Sequence, residues 1–420
     1  MTAAIEDAAD LAAAARHIVG CLEATAVLSE AGATWQAEVV IGIDDGAPVI
    51  RYGDIGCTLY DGTAGVALAL AAAGSVEIAG GAVRHALAGA ETLVSQDRLG
   101  LFDGATGIAV AAMQVGCAAD DEVLLERAAA LARRIGRCLD VAVSGRPAAV
   151  DCDLIGGLSG TVLGLLSLAE RVGDDELLAS LTQAGHRLAD AAEPQLWGSA
   201  WPSGSAGPPL LGLAHGAAGI VLALGELAAL TGDGRLASAA WEGQEYERGW
   251  YDADRVDWPD LREIEAGADP SNWMTAWCHG ALGIGSSRLR MHALVGDSLS
   301  QAEVSAALQA ARDCTVRVGT SLRNGTVSDC SACHGLAGVV ELLLIAAHAL
   351  EVEEHARAAR RVAGLMLQLR RSAQAWPCGL PGAGEGPGLM TGTAGIALTL
   401  LRAAGATDVP TPLLPGPARW

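Results

Sequence analysis

Aromatic and basic side chains are scarce in this chain. Its 420 residues hold one Phe and four Tyr, and 27 Lys and Arg stand against 49 Asp and Glu, a formal net charge of −22. There is no basic run and no interleaving of basic with aromatic residues, which excludes the usual footprint of a nucleic-acid partner. The longest apolar stretches are broken by Glu77, Glu341 or His348 and by many of the 54 glycines, so no membrane span is expected despite a positive mean hydropathy. The start, MTAAIEDAADLAAAARH, is acidic and has no basic n-region, so neither a signal nor a transit peptide is read and a cytoplasmic protein is expected. Ten cysteines without a secretory context do not suggest a disulfide framework; metal or thiol chemistry is the better expectation. Cys21, Cys57, Cys117, Cys138, Cys152 and Cys314 have ordinary surroundings and are expected to be small buried residues.

What the chain does have is a repeat. G-x-x-G followed by an apolar run occurs at Gly62/Gly65, Gly104/Gly107, Gly157/Gly160, Gly216/Gly219, Gly280/Gly283, Gly335/Gly338 and Gly392/Gly395. Successive copies are 42 to 64 residues apart, which suits two helices and their loops. The segments after the motifs, such as IVLALGELAAL and VVELLLIAAHAL, are apolar nearly all round and predict burial on every side. Stretches between them, such as DEVLLERAAALARRIGRCL, carry charge on one face and predict an outer layer. The expected fold is all-α, an α/α toroid of seven helical hairpins with inner and outer rings. A closed ring cannot be halved without exposing its core, so one domain is expected: residues 1–57 an irregular lead-in packed on the outside, 58–405 the ring and 406–420 a tail.

If each motif opens an inner helix, all seven gather at one rim. Two places before the first glycine stand Tyr60, Phe102, Ile155, Ala214, Cys278, Cys333 and Met390; one place before it stand Asp61, Asp103, Gly156, His215, His279, His334 and Thr391. Cys278 and Cys333 thus share a slot in adjacent repeats, with His334 following the second. Two thiolates and an imidazole are the donor set of a zinc site that leaves a fourth position open for water or substrate.

The motifs YDGTAGVAL, DLIGGLSG, GLAHGAAGI, WCHGALGIGSSRL, CHGLAG and PGLMTGTAGIALTLLR, spread over residues 57–402, resemble the lanthipeptide cyclase, or LanC-like, family. WPDLR at Trp258–Arg262, WCHG and PGLMTG resemble the cyclase half of the bifunctional class II synthetases, without their dehydratase half. The resemblance implies an α/α toroid that forms thioether rings in ribosomal peptides, with zinc held by Cys278, Cys333 and His334. It places an active-site aspartate on Asp153 and an active-site histidine on His215. One departure stands out: where stand-alone members carry an arginine and a tyrosine around the first ligand, this chain has Met274 and His279, and Arg262 is the substitute candidate for the arginine.

The implied reaction adds a peptide Cys thiolate to Cβ of dehydroalanine or dehydrobutyrine in the same precursor peptide. Zinc favours the thiolate, since a free thiol near pKa 8.5 is only a few per cent ionised at neutral pH. The enolate left behind is protonated at Cα, for which His215 is the first candidate and His279 the second. Asp153 could orient a histidine or simply cap a helix, and His279 could act from behind the ligands. Asp61 and Asp103 are expected to be structural. Cys330 to His334 also fits C-x-x-C-H, the haem attachment pattern, and is taken as coincidence, with Cys330 an alternative ligand. The loop Pro381–Gly388 is expected to be a turn. Trp241–Trp273, aromatic and acidic, is either a peptide-binding wall or a loop over the outer helices. The expected partners are a dehydrated precursor peptide and a separate dehydratase. A non-catalytic scaffold and an enzyme adding glutathione to dehydroamino acids are the competing functions.

Overall fold

The computed structural model describes residues 7–44, 47–142, 151–203, 207–262, 270, 272–324, 328–379 and 384–417. In every repeat the first glycine is the residue before a helix. The seven inner helices are α2 (Thr63–Ala72), α4 (Ala105–Ala119), α6 (Leu158–Val172), α8 (Ala217–Thr231), α10 (Ala281–Val295), α12 (Leu336–Ala349) and α14 (Thr393–Ala403). Each packs on the next, and α14 returns to α2, so the ring is closed. All ten residues of α2 are buried, as expected of a helix with no polar face.

Six outer helices alternate with them: α3 (Val76–Ser95), α5 (Glu122–Ala142), α7 (Asp175–Asp190), α9 (Gly234–Gly249), α11 (Ser298–Arg323) and α13 (Glu353–Ala373). The seventh comes from the lead-in, which is not irregular. Its helix α1 (Ala8–Thr25) buries Leu11, Ala15, Ile18, Val19 and Leu22 against α14 and α13, completing the outer ring. Two antiparallel hairpins follow, β1 (Val27–Ser29) with β2 (Gly32–Thr34) and β3 (Gln36–Asp44) with β4 (Ala47–Asp54). A short pair, β5 (Glu193–Pro194) with β6 (Ser199–Ala200), lies after α7. Among the described residues no helix is long and apolar enough to cross a membrane.

One rim is tied by a circuit of backbone hydrogen bonds through the slot two places before each first glycine, with Leu154 donating beside Ile155 in the third repeat. Tyr60 N donates to Phe102 O at 2.8 Å, Phe102 N to Ile155 O at 2.9 Å, and Leu154 N to Ala214 O at 3.0 Å. Ala214 N donates to Cys278 O and Cys278 N to Cys333 O, both at 3.3 Å; Cys333 N reaches Met390 O at 2.9 Å, and Met390 N returns to Tyr60 O at 2.8 Å. Each repeat thereby satisfies the buried polar backbone of its neighbour, and no repeat is left with an edge. The second glycine of each motif permits the approach: a Cβ on Gly283 would stand 2.7 Å from Leu213 Cβ, and one on Gly107 2.6 Å from Leu59 Cβ, in each case in the preceding repeat.

The inner layer also holds charges, which occur as pairs. Arg290 of α10 meets Glu226 of α8, and Arg402 of α14 meets Glu341 of α12 at 3.0 Å. Arg288, fully buried, bonds Glu247 at 2.7 Å and Glu303 at 2.9 Å. Burial without these partners would cost several kcal/mol per charge, on the order estimated for real proteins. The ten cysteines form no disulfide. Of the six expected to be small buried residues, only Cys152 is; Cys21 and Cys117 are exposed and the other three half-buried.

Candidate active site

Because the rim circuit runs through Cys278 and Cys333, their backbones are one hydrogen bond apart and both side chains are buried. The thiols hydrogen-bond to each other. That bond, accepted at Cys278, pulls the Cys278 thiol down towards a thiolate, helped against its burial by the positive charge of His334 and Arg262; the same bond and burial push Cys333 up. Tyr60 Oη donates to Cys333 Sγ at 3.0 Å, and burial holds that phenol protonated.

His334 shares the rim but not the thiol contact. Its Nε2 lies 3.4 Å from Asp329 Oδ2, and that carboxylate raises its pKa. Among the described residues no three His, Cys, Asp or Glu side chains are gathered as a ready-made metal site. The donor set nevertheless suits a thiophilic cation: two adjacent sulfurs, one already biased to thiolate, and an imidazole whose charge Cys278 feels. Cys330 is fully buried, and its pKa is raised by that burial and by the charges of Asp329 and Cys378.

Next to the thiols stands a carboxylate and histidine pair. Asp153 Oδ1 accepts from the N–H groups of Gly156 and Gly157, both at 2.9 Å, and Oδ2 bonds His215 Nδ1 at 2.5 Å. Capping and orienting are therefore both done by this one side chain. With Nδ1 engaged, Nε2 of the partly exposed His215 is the nitrogen available to other groups. Burial alone would lower the His215 pKa, yet the hydrogen bond and charge of Asp153 outweigh it and raise the pKa. His279 stacks on His215 with ring centroids 6.1 Å apart, and its Nδ1 is 3.9 Å from Asp260 Oδ1. Burial first, and then the charge of Arg262, push it down to about 4.

The stretch after α9 supplies residues that sequence reasoning passed over. Asp257 Oδ1 accepts from Ala281 N at 2.9 Å, capping α10, while Oδ2 takes the Thr275 hydroxyl at 2.9 Å. Gly280 turns the chain into that cap at φ +82°, where a Cβ would strike the Met274 carbonyl. Asp260, fully buried, holds Arg262 through Nε at 3.0 Å and Nη2 at 2.6 Å. Arg262 Nη2 also lies 3.5 Å from Met274 Sδ, beside the position where the family arginine was missed. Two acidic residues in the run DWPD were the only available signal. Residues 263–269 and 271 of Trp241–Trp273, and residues 381–383 of the glycine-rich loop, lie outside the described residues. The Asp61 carboxylate takes the Thr391 N–H at 3.1 Å and the Thr391 hydroxyl at 2.6 Å.

A family model described as lanthionine synthetase C-like protein matches residues 53–414. A solved structure of a nisin cyclase is similar over 84% of this chain and 90% of that chain, at 19% identity and a TM-score of 0.62, a likeness of fold. No curated protein matches the sequence.

Proposed function

The chain belongs to the lanthionine synthetase C-like family, and we propose that it is a zinc-dependent cyclase that closes lanthionine and methyllanthionine rings in a dehydrated ribosomal peptide supplied by a separate dehydratase. The observation that carries the reading is the meeting, on one rim, of the Cys278 and Cys333 thiols with the Asp153–His215 pair. Zinc held by Cys278, Cys333 and His334 would hold the substrate thiol as thiolate and aim it.

The protein's own residues supply the rest. In the addition the thiolate sulfur forms a bond to Cβ, the π electrons move to Cα and its carbonyl, and Cα then takes a proton. His215 is the donor: the hydrogen bond and charge of Asp153 favour its protonated form against burial, and Asp153 fixes the ring so that Nε2 carries the transferable proton. His279, neutral above about pH 4, is the weaker donor and serves to stack His215 in place. Arg262, set by buried Asp260, supplies the positive charge for the enolate oxygen, the role left open by Met274.

The reading is tested by incubating the protein with a dehydrated peptide and following free thiols by mass spectrometry, with and without added glutathione. Loss of peptide thiols without mass change is the expected result. A mass gain of one glutathione would instead assign small-thiol addition, and no change would leave a peptide-binding scaffold.

A further inference from the structure

In the segment after α14, Thr407–Pro417, Asp408 and Pro410 are exposed, Leu413 is buried and the rest is half-buried. The segment enters the lumen of the ring at the end away from the thiols. There its prolines and Leu414 close a cavity of about 360 Å³ against Leu68 of α2, Val110 of α4, Gly164 of α6 and Leu344 of α12. Leu413 is buried. The sequence TDVPTPLLPGP suits this place, because its four prolines bring no N–H groups to be satisfied in an apolar channel. Three of its carbonyls are met by donors from the ring. Val409 O accepts from Arg402 Nη1 at 2.7 Å, Pro417 O from Arg290 Nη2 at 3.2 Å, and Leu413 O from Trp277 Nε1 at 2.7 Å.

The last bond matters for the site. Trp277 is the residue before Cys278, and its backbone N donates at 3.1 Å to the Cys333 carbonyl that Cys278 N also reaches. Its indole, buried, packs edge-on against Phe102 with centroids 5.3 Å apart. One side chain therefore links the tail on its lumen side to the backbone that sets the spacing of the two thiols. We propose that Thr407–Pro417 is a built-in plug of the lumen, and that Trp277, held by the Leu413 carbonyl, is a positioning residue for Cys278 and Cys333.

Trp277→Phe removes the N–H and keeps an aromatic ring against Phe102. A chain ended after Ala406, with a synthetic peptide of residues 407–420 added in trans, removes and restores the plug. Two readouts are taken: iodoacetamide alkylation of each cysteine in metal-free protein, mapped by mass spectrometry, and Co2+ titration followed by the thiolate-to-cobalt absorption. Loss of one buried hydrogen bond is expected to speed alkylation of Cys278 and Cys333 and weaken Co2+ binding by about tenfold, while Cys330 and Cys378 keep their rates. The shortened chain is expected to behave likewise and to recover on adding the peptide. The proposal is overturned if Trp277→Phe leaves both readouts unchanged, or if all four cysteines speed up together, since that is general loosening. The Co2+ readout rests on the thiols being metal donors. If they are not, the unaltered protein shows no thiolate band, whereas failure of the plug leaves the band intact in every variant.

Discussion

Asp153 divides its oxygens between two tasks, closing the turn before α6 with one and holding His215 Nδ1 with the other. With His215 as the proposed donor the acting form is the protonated one, so activity is expected to fall as pH rises through its pKa, and the upward shift to carry activity to higher pH. Asp153→Asn removes the charge that raises it. The rate of cyclisation is expected to fall about a hundredfold, and the alkaline limb of the pH–rate profile to move to lower pH; an unmoved limb would take the proton from another group. Arg262 and Asp260 make a second residue-scale test. Arg262→Gln removes the charged partner of buried Asp260, which keeps the Arg262 N–H and Asn272, and is expected to cost about 1–3 kcal/mol in urea unfolding and to slow cyclisation. The double variant Asp260→Asn/Arg262→Gln is expected to regain most of the stability but not the rate. The repeat slot put His215 on the rim, whereas Asp153 was singled out only because its motif resembles a known family. Asp257 and Asp260 were not, because they act across an irregular loop that has no period to read.

Among the elements, the inner helices were legible because burial on all sides leaves a sequence with no polar face, and because a close approach between repeats leaves room for nothing larger than glycine. Gly283 tests that reasoning. A Cβ there meets both the Trp277 carbonyl and Leu213 Cβ, so Gly283→Ala is expected to destabilise by about 1–3 kcal/mol. Gly234, in the first turn of α9, has nothing within 4 Å and no positive φ, so Gly234→Ala is expected to stabilise by about 0.5–1 kcal/mol. Equal effects in urea unfolding would mean that the neighbouring repeat does not set the choice of glycine. Helix α1 was missed because its alanine-rich stripe lies before the first motif, where no inner helix precedes it. The partner that makes it an outer helix, α14, is at the other end of the chain.

For the whole molecule, the rim circuit and the ion pairs between neighbouring inner helices make every repeat depend on the next, and we propose that lead-in, ring and tail unfold as one unit. Glu226→Gln, which removes the buried carboxylate that Arg290 meets between α8 and α10, is expected to lower the unfolding free energy by about 3 kcal/mol while keeping a single transition. A second transition would show that the hairpins separate. The closed ring could be argued from seven spaced glycine motifs. The plug could not, since a proline-rich tail carries no sign of what it enters. The most direct measurement of the central claim is metal analysis with zinc-edge X-ray absorption on the purified protein. The expected result is one zinc per chain with two sulfur ligands near ~2.3 Å and a nitrogen ligand near ~2.0 Å, lost on Cys278→Ala and Cys333→Ala. Unchanged zinc in those variants, or a sulfur-free first shell in the parent protein, would contradict it.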